Sequence, residues 1–504
     1  MSLESDLTPR IDLIKRLVRE RYVEYLNAQS WNEWDRVELN EDGEIVDALP
    51  PTANRPEAYE SGFQDNLRLW REDWQNTCDA VDDFAQQVHK YYEIDGDTEY
   101  GDGGRLEEIW RKFGIDTQTP QQLEERATGY RPPLEGGTVN AELAYARYYV
   151  DEHIYNQLLD IRDEIPLGED GKPIYIPYMP GPIVNVVSEH WTGPAASAFF
   201  WNLAVPFDEA AGRQLVYLRE LASIVHIFRL IRDHTSTCLR KVIDNTIRNL
   251  GGGNEMEPMI PGDPIDISLG DAVNAAGLII ASLGLITASG GTGIVIGVLG
   301  VGQAFVSIGL AEAAKNEGPD DIDLHVAELA GPTSPWPVIL SAQDAIRRIE
   351  EWQGRKDDAI ARGLRTDMDD TTAFASPKLS LKEPGEFSDT YEFDLNETTM
   401  QEGVTAPINA LRRAGRDELR GTAAGHIENA MDNLLDVNIV PSWVFHFLPR
   451  SWDAYNEATG GLVSSMRTTA ANLRLWGNEL VEIANEYEVT DEENAGGVNR
   501  AGGN

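Results

Sequence analysis

The sequence predicts an all-α protein of long antiparallel helical hairpins packed around a glycine-rich hydrophobic helical hairpin. Three observations carry that expectation. Apolar residues recur at steps of three and four along most of the chain, the period of a helix face. Alternating strand patterns are sparse. Between Asp271 and Glu312 stand 40 residues without a charge, in a chain where 25% of residues are charged.

The chain has 504 residues, and single cores stop growing at roughly 250–300 residues, so several modules are expected. These are an N-terminal helical module (1–140), a helical hairpin (141–250), a glycine-rich hydrophobic hairpin (251–330), a helix with a polar linker (331–404), a C-terminal hairpin (405–495) and a disordered tail (496–504). Asp and Glu number 85 against 42 Lys and Arg, a net charge of −43. Such a field repels phosphate backbones and excludes nucleic-acid binding as the main role. A hydrophobic content of 41% argues against wholesale disorder. Two cysteines, Cys78 and Cys238, exclude a disulfide framework and a Cys-rich zinc module. Free thiols are favoured over a single bridge between them. Nine Lys against 33 Arg fits either a high-GC genome or a salt-adapted proteome.

The first helix carries Ile11, Leu13, Ile14, Leu17, Val18 and Tyr22 on one face, interrupted by basic residues rather than opening on an apolar run. The N-terminal region is therefore expected to belong to a protein that is either cytoplasmic or exported by a route that needs no cleaved leader. Residues 8–30 and 57–95 read as a hairpin joined by the Leu49-Pro50-Pro51 stretch. The clearest helix follows Pro194, with Phe200, Leu203, Phe207, Ala211, Leu215, Leu218, Leu221, Val225 and Phe228 in phase. It is expected to kink at Pro206, to exceed 50 residues, and to stop at Gly251-Gly252-Gly253. Residues 366–404 read as a polar loop. Ile408–Leu435 is expected to pair with a helix over Val463–Glu488, across a loop rich in aromatics. The string Asn-Leu-Arg-Leu-Trp occurs at 66–70 and again at 472–476.

The uncharged stretch divides at Gly290-Gly291-Thr292-Gly293 into halves of 18 and 19 residues. As helices these would be roughly 27–28 Å long, about the thickness of a bilayer core. Gly277, Gly284, Gly293, Gly297 and Gly300 allow close helix approach, as small-x-x-x-small pairs do in membranes. Two readings stand side by side: a hairpin that inserts conditionally, and one buried in a soluble helical body.

At Trp191-Thr192-Gly193-Pro194-Ala195-Ala196-Ser197-Ala198-Phe199, Gly193 permits a tight turn and Pro194 suits a first helical turn. This string, followed by a long amphipathic helix, resembles the Trp-x-Gly (WXG) superfamily of type VII (ESX) secretion substrates. Trp191 and Gly193 are the positions that match its turn motif. Tyr487-Glu488-Val489-Thr490-Asp491 is similar to the family's Tyr-x-x-x-acid export signal, with Tyr487 and Asp491 as its defining residues. It reads as lying just past a long final helix.

The resemblance implies secretion without a cleaved signal peptide, and the uncharged hairpin adds the expectation of membrane association after export. The implied partners are the type VII machinery, a lipid membrane met conditionally, and a second copy or a small WXG protein. The expected activity is a pore-forming or toxin-delivery module. The alternative is a soluble, acidic structural scaffold with the hairpin permanently buried. No metal-binding set, P-loop, nucleophile elbow or kinase signature is present, so no catalytic residue, metal or cofactor is expected, and the protein is read as non-enzymatic.

Overall fold

The computed structural model describes residues 3–29, 37–39, 45–47, 57–95, 104–114, 137–150, 191, 196, 199–253, 322–371, 374–385, 408–437 and 442–501. The fold is all-α. A two-stranded antiparallel hairpin, β1 (Val37–Leu39) with β2 (Ile45–Asp47), lies between the first two long helices. The hydrophobic segment 272–311 falls outside the described residues.

The centre of the described bundle is α6 (Val205–Ile247), extended at its two ends by π-helical turns, Phe200–Ala204 and Arg248–Gly252. The run is about 80 Å long at 1.5 Å per residue. Its sequence is apolar on more than one face: Leu218, Leu221, Ala222, Ile224, Val225 and Phe228 are all fully covered. A helix that is hydrophobic most of the way round belongs in an interior, which is how so long an element is accommodated. Pro206 occupies the first turn of α6, where its missing N–H costs least, and the π turn before it takes up the mismatch.

Four helices cover α6, and side-chain pairs fix their directions. α1 (Leu3–Gln29) runs parallel to it, joined by Arg10 to Asp244 at 3.0 Å and Arg240 to Asp6 at 3.2 Å. α4 (Gly104–Phe113) runs antiparallel, with Arg229 on Glu107 at 2.6 Å and Trp110 against His226. α7 (Trp336–Asp369) is antiparallel as well, through Gln353 to Thr235 at 2.9 Å and, just past its end, Phe374 stacked on Tyr217. α11 (Pro449–Ala501) is the third antiparallel neighbour, through Gln214 to Thr469 at 2.8 Å and the Phe228–Tyr455 ring contact.

Two of the expected hairpins are present. α1 folds back on α2 (Glu57–His89) through Tyr22 to Asp73, Lys15 to Asp82 and, just past α2, the Thr8–Tyr92 hydroxyl pair. The C-terminal pair joins α8 (Ile408–Arg413), a π-helical run Ala414–Ala423 and α9 (Ala424–Val437) to α11. Arg412 meets Glu488 and Arg474 meets Glu428, an antiparallel register. α3 (Tyr92–Asp95) and α10 (Ser442–Phe447) are single turns, and α5 (Val139–Val150) packs on α9 through Glu142 and His426. The aromatic-rich loop is therefore largely helical, in α10 and the first turns of α11. Leu3 of α1 and Ala484 of α11 belong to one continuous apolar core.

Two sequence expectations change. Helix α7 extends to Asp369, and the segment expected to be a polar linker includes the buried Leu379 and Leu381. Helix α11 runs through 496 to Ala501, across the stretch expected to be a disordered tail; residues 502–504 lie outside the described residues. Residues 496–501, Gly-Gly-Val-Asn-Arg-Ala, extend a helix already nucleated by the long packed run before them, since adding residues to an existing helix does not repeat the cost of nucleation.

Candidate functional site

The sequence motifs converge on one end of the bundle. Trp191 is fully covered and packs on Phe199 with ring centroids 5.3 Å apart. Phe199 in turn meets Trp476 of α11 edge-on at 5.9 Å. The antiparallel course of α6 and α11 brings these together, because the start of the α6 run lies beside residues near 476. Along α11 the same face continues through Leu480 and Ala484 to Tyr487, which is half-buried against the core. Tyr487 follows Trp476 by eleven residues, about 16 Å of helix axis. Trp191 and Tyr487 thus pack against the same apolar core, without touching each other among the described contacts.

Tyr487 and Asp491 lie within α11, not past it. The helix is held there by Arg412, which donates to Asn485 Oδ1 at 2.7 Å and to Glu488. That guanidinium keeps the Glu488 carboxyl below the usual carboxylate range. The Asp491 side chain and Gly193 fall outside the described residues, as do Gly277, Gly284, Gly293, Gly297 and Gly300.

The opposite end of α6 is where the chain leaves toward the uncharged segment. Gly251 has φ +90°, open to glycine but strained for other residues, and a Cβ there would meet the Arg21 guanidinium. Arg21 Nε donates to Leu250 O at 2.7 Å, a cation placed on the carbonyl end of a long helix. Asn249 Nδ2 donates to Val326 O at 2.7 Å and approaches Ala327 O at 3.3 Å. Ser341 Oγ accepts from Ala327 N at 2.8 Å. The chain therefore departs at Gly253 and is fastened again at Val326, beside the point of departure.

Comparison with protein-family models, curated proteins and solved structures finds no match. Among the described residues no helix is long and apolar enough to cross a membrane, and no group of His, Cys, Asp and Glu is arranged to hold a metal ion. Cys78 and Cys238 are both free thiols; Cys238 Sγ lies 3.5 Å from His234 Nε2.

Sequence reasoning missed two polar devices. Asp357 of α7, almost fully buried, accepts from Arg450 N at 3.2 Å and Ser451 N at 2.7 Å, capping the start of α11. The strap of residues 374–382 lies across α6 and α11, held by side chains from both helices. Leu379-x-Leu381 is the only local signal for the strap, too short a period between Pro377 and Pro384 to stand out. The capping aspartate has no local signal, since its partners lie more than 90 residues away.

Proposed function

We propose that this is a non-enzymatic helical protein exported by a type VII system, whose uncharged segment 272–311 enters or permeabilises lipid membrane as a glycine-rich hairpin. The observation that carries this reading is the Asn249 fastening. Residues 254–321 join the bundle at two neighbouring points, Gly253 and the 322–327 stretch pinned by Asn249. A segment attached in this way is able to change surroundings while the contacts of α6 with α1, α4, α7 and α11 stay in place. The export half is supported by the shared apolar core of Trp191, Trp476 and Tyr487, at the other end of the same central run. Acid conditions suit insertion, because protonating some of the 85 carboxylates lowers repulsion from anionic lipid. The implied partners are the type VII machinery, the membrane, and a second copy or small WXG protein.

A second reading, an acidic structural scaffold with the hairpin permanently buried, is favoured by the continuity of the core from Leu3 to Ala484. The two separate in one experiment on the full chain. Dye release from anionic liposomes is followed from neutral pH into acid, for the wild type and for Gly297→Asp. A membrane hairpin gives acid-dependent release that the variant loses with its helix content intact, since a charge at mid-bilayer depth costs about 3 kcal/mol. No release by the wild type, with the variant unfolded, supports the scaffold, because an unpaired charge in a soluble core is not tolerated. A marked gain in folding stability with added salt would point the same way.

A further inference from the structure

The strap of residues 374–382 is held, like the 322–327 stretch, by side chains that grip its main chain, not by a strand or helix partner. Gln214 Nε2 donates to Leu379 O at 2.9 Å, and Leu381 N donates to Thr469 Oγ1 at 3.2 Å. Asn472 Nδ2 donates to Leu381 O at 2.7 Å, and Trp476 Nε1 to Lys382 O at 2.9 Å. Gln214, Thr469 and Asn472 are themselves buried. Leu379 and Leu381 point into the groove and are nearly covered, while Lys378 and Lys382 face outward. This is recognition of an extended chain: main-chain groups supply the hydrogen bonds, and alternate side chains supply the apolar anchors.

The strap fits the groove incompletely. A glutamine amide can pair both its N–H and its oxygen with the C=O and N–H of one extended residue. Here Leu379 N is already used, donating to Ser376 O at 3.0 Å within the 3-10 turn Pro377–Leu379. Gln214 Oε1 is buried and has no hydrogen-bond partner among the described residues. Charge adds direction: Lys378 Nζ lies 3.1 Å from Glu209 Oε1, in a chain with only nine lysines, two of them on the strap.

We infer that the groove between α6 and α11 is a binding site for an extended peptide of the form Lys-Leu-x-Leu-Lys, and that the strap is its resident, displaceable occupant. An occupant extended at the first leucine frees that residue's N–H for Gln214 Oε1 and becomes the better ligand. The strap's own turn, set by Pro377, keeps it exchangeable. The site stands apart from the membrane reading and does not depend on it.

The test uses the full chain carrying Leu379→Asp and Leu381→Asp, which ejects the strap, and a labelled peptide with the sequence of residues 374–385. The expected result is saturable binding to this variant, at least tenfold weaker binding to the wild type, and none by a peptide bearing the same two aspartates. A peptide with valine in place of Pro377 should bind about tenfold more tightly than the native sequence. A folded variant that binds no peptide overturns the proposal. Should the variant lose its helices, hydrogen exchange on the wild type decides. Exchange at Leu381 N that outpaces the core amides of α11 supports a strap that leaves on its own. Exchange there only at the rate of global unfolding overturns it.

Discussion

Gly477 shows how much a single missing side chain can matter. A Cβ there would lie 2.4 Å from Arg420 Cγ and 2.5 Å from Gly415 O, and a Cβ at Gly415 would lie 2.5 Å from Gly477 O. The two glycines let α11 and the π-helical run 414–423 meet backbone to backbone. Gly477→Ala should therefore destabilise by about 1–3 kcal/mol, although alanine is the better helix former; urea unfolding measures it. Tyr487 calls for a different test, of export. Its ring is half-buried, so Tyr487→Ala should cost about 1 kcal/mol while leaving the helical fold intact. If the signal is real, the variant stays in the producing cell at undiminished abundance. Normal secretion would sink the export reading.

Among the elements, α11 depends on a carboxylate that it does not contain. Asp357 satisfies two of the amides at its start, and Ser451 Oγ donates back to Asp357 O at 2.9 Å. Asp357→Ala should cost about 1–3 kcal/mol, seen as a lower midpoint in thermal unfolding. The contact between α4 and α6 carries a pH response. Burial lowers the pKa of His226, with Arg229 adding to the effect and Glu107 and Asp233 opposing it. A base whose folded pKa is depressed takes up its proton more readily when unfolded. The neutral ring's contribution is thus present above about pH 6.5 and lost as pH falls. His226→Phe keeps the ring contact with Trp110 and should flatten the fall in stability below neutral pH, as followed by urea midpoints across that range.

Legibility also sorts by element. Helix periods exposed the partner faces of α1 with α2 and of Ile408–Val437 with α11, because neighbours in sequence bury their stripes on each other. Asn-Leu-Arg-Leu-Trp marks α2 and α11 alike, with Leu69 and Leu475 both exposed. Which helices surround α6, and in which direction, depended on pairs such as Arg10–Asp244 and Gln214–Thr469, which are spaced beyond any local period. The small β-hairpin had a local signal, Asp42-Gly43 between Val37–Leu39 and Ile45–Asp47, but three-residue strands are too short for alternation to register. At the motif end, the covering of Trp191 was legible, while the turn expected at Gly193 lies outside the described residues. The link of Trp191 to α11 through Phe199 and Trp476 was not legible, since it depends on the antiparallel seating of two helices far apart in the chain.

For the whole molecule, the fastening of Val326 by Asn249 bears on how freely the chain could be rebuilt. In the unfolded chain these two residues are separated by 76 intervening positions, and bringing them together costs loop-closure entropy that grows with the logarithm of that length. Replacing residues 254–321 by an eight-residue Gly-Ser linker shortens the closure by roughly two to three doublings. At about 0.6 kcal/mol for each doubling, the shortened chain gains on the order of 1–2 kcal/mol from this source alone. If the excised segment contributes nothing to the core, the shortened protein should fold with the same helical spectrum and melt at an equal or higher temperature. A drop in melting temperature would mean that the core draws stability from the excised residues. With an unchanged or higher melting temperature, the same junction would accept a foreign domain whose two termini lie close together, so evolution could exchange the segment at this position without redesigning the bundle around it.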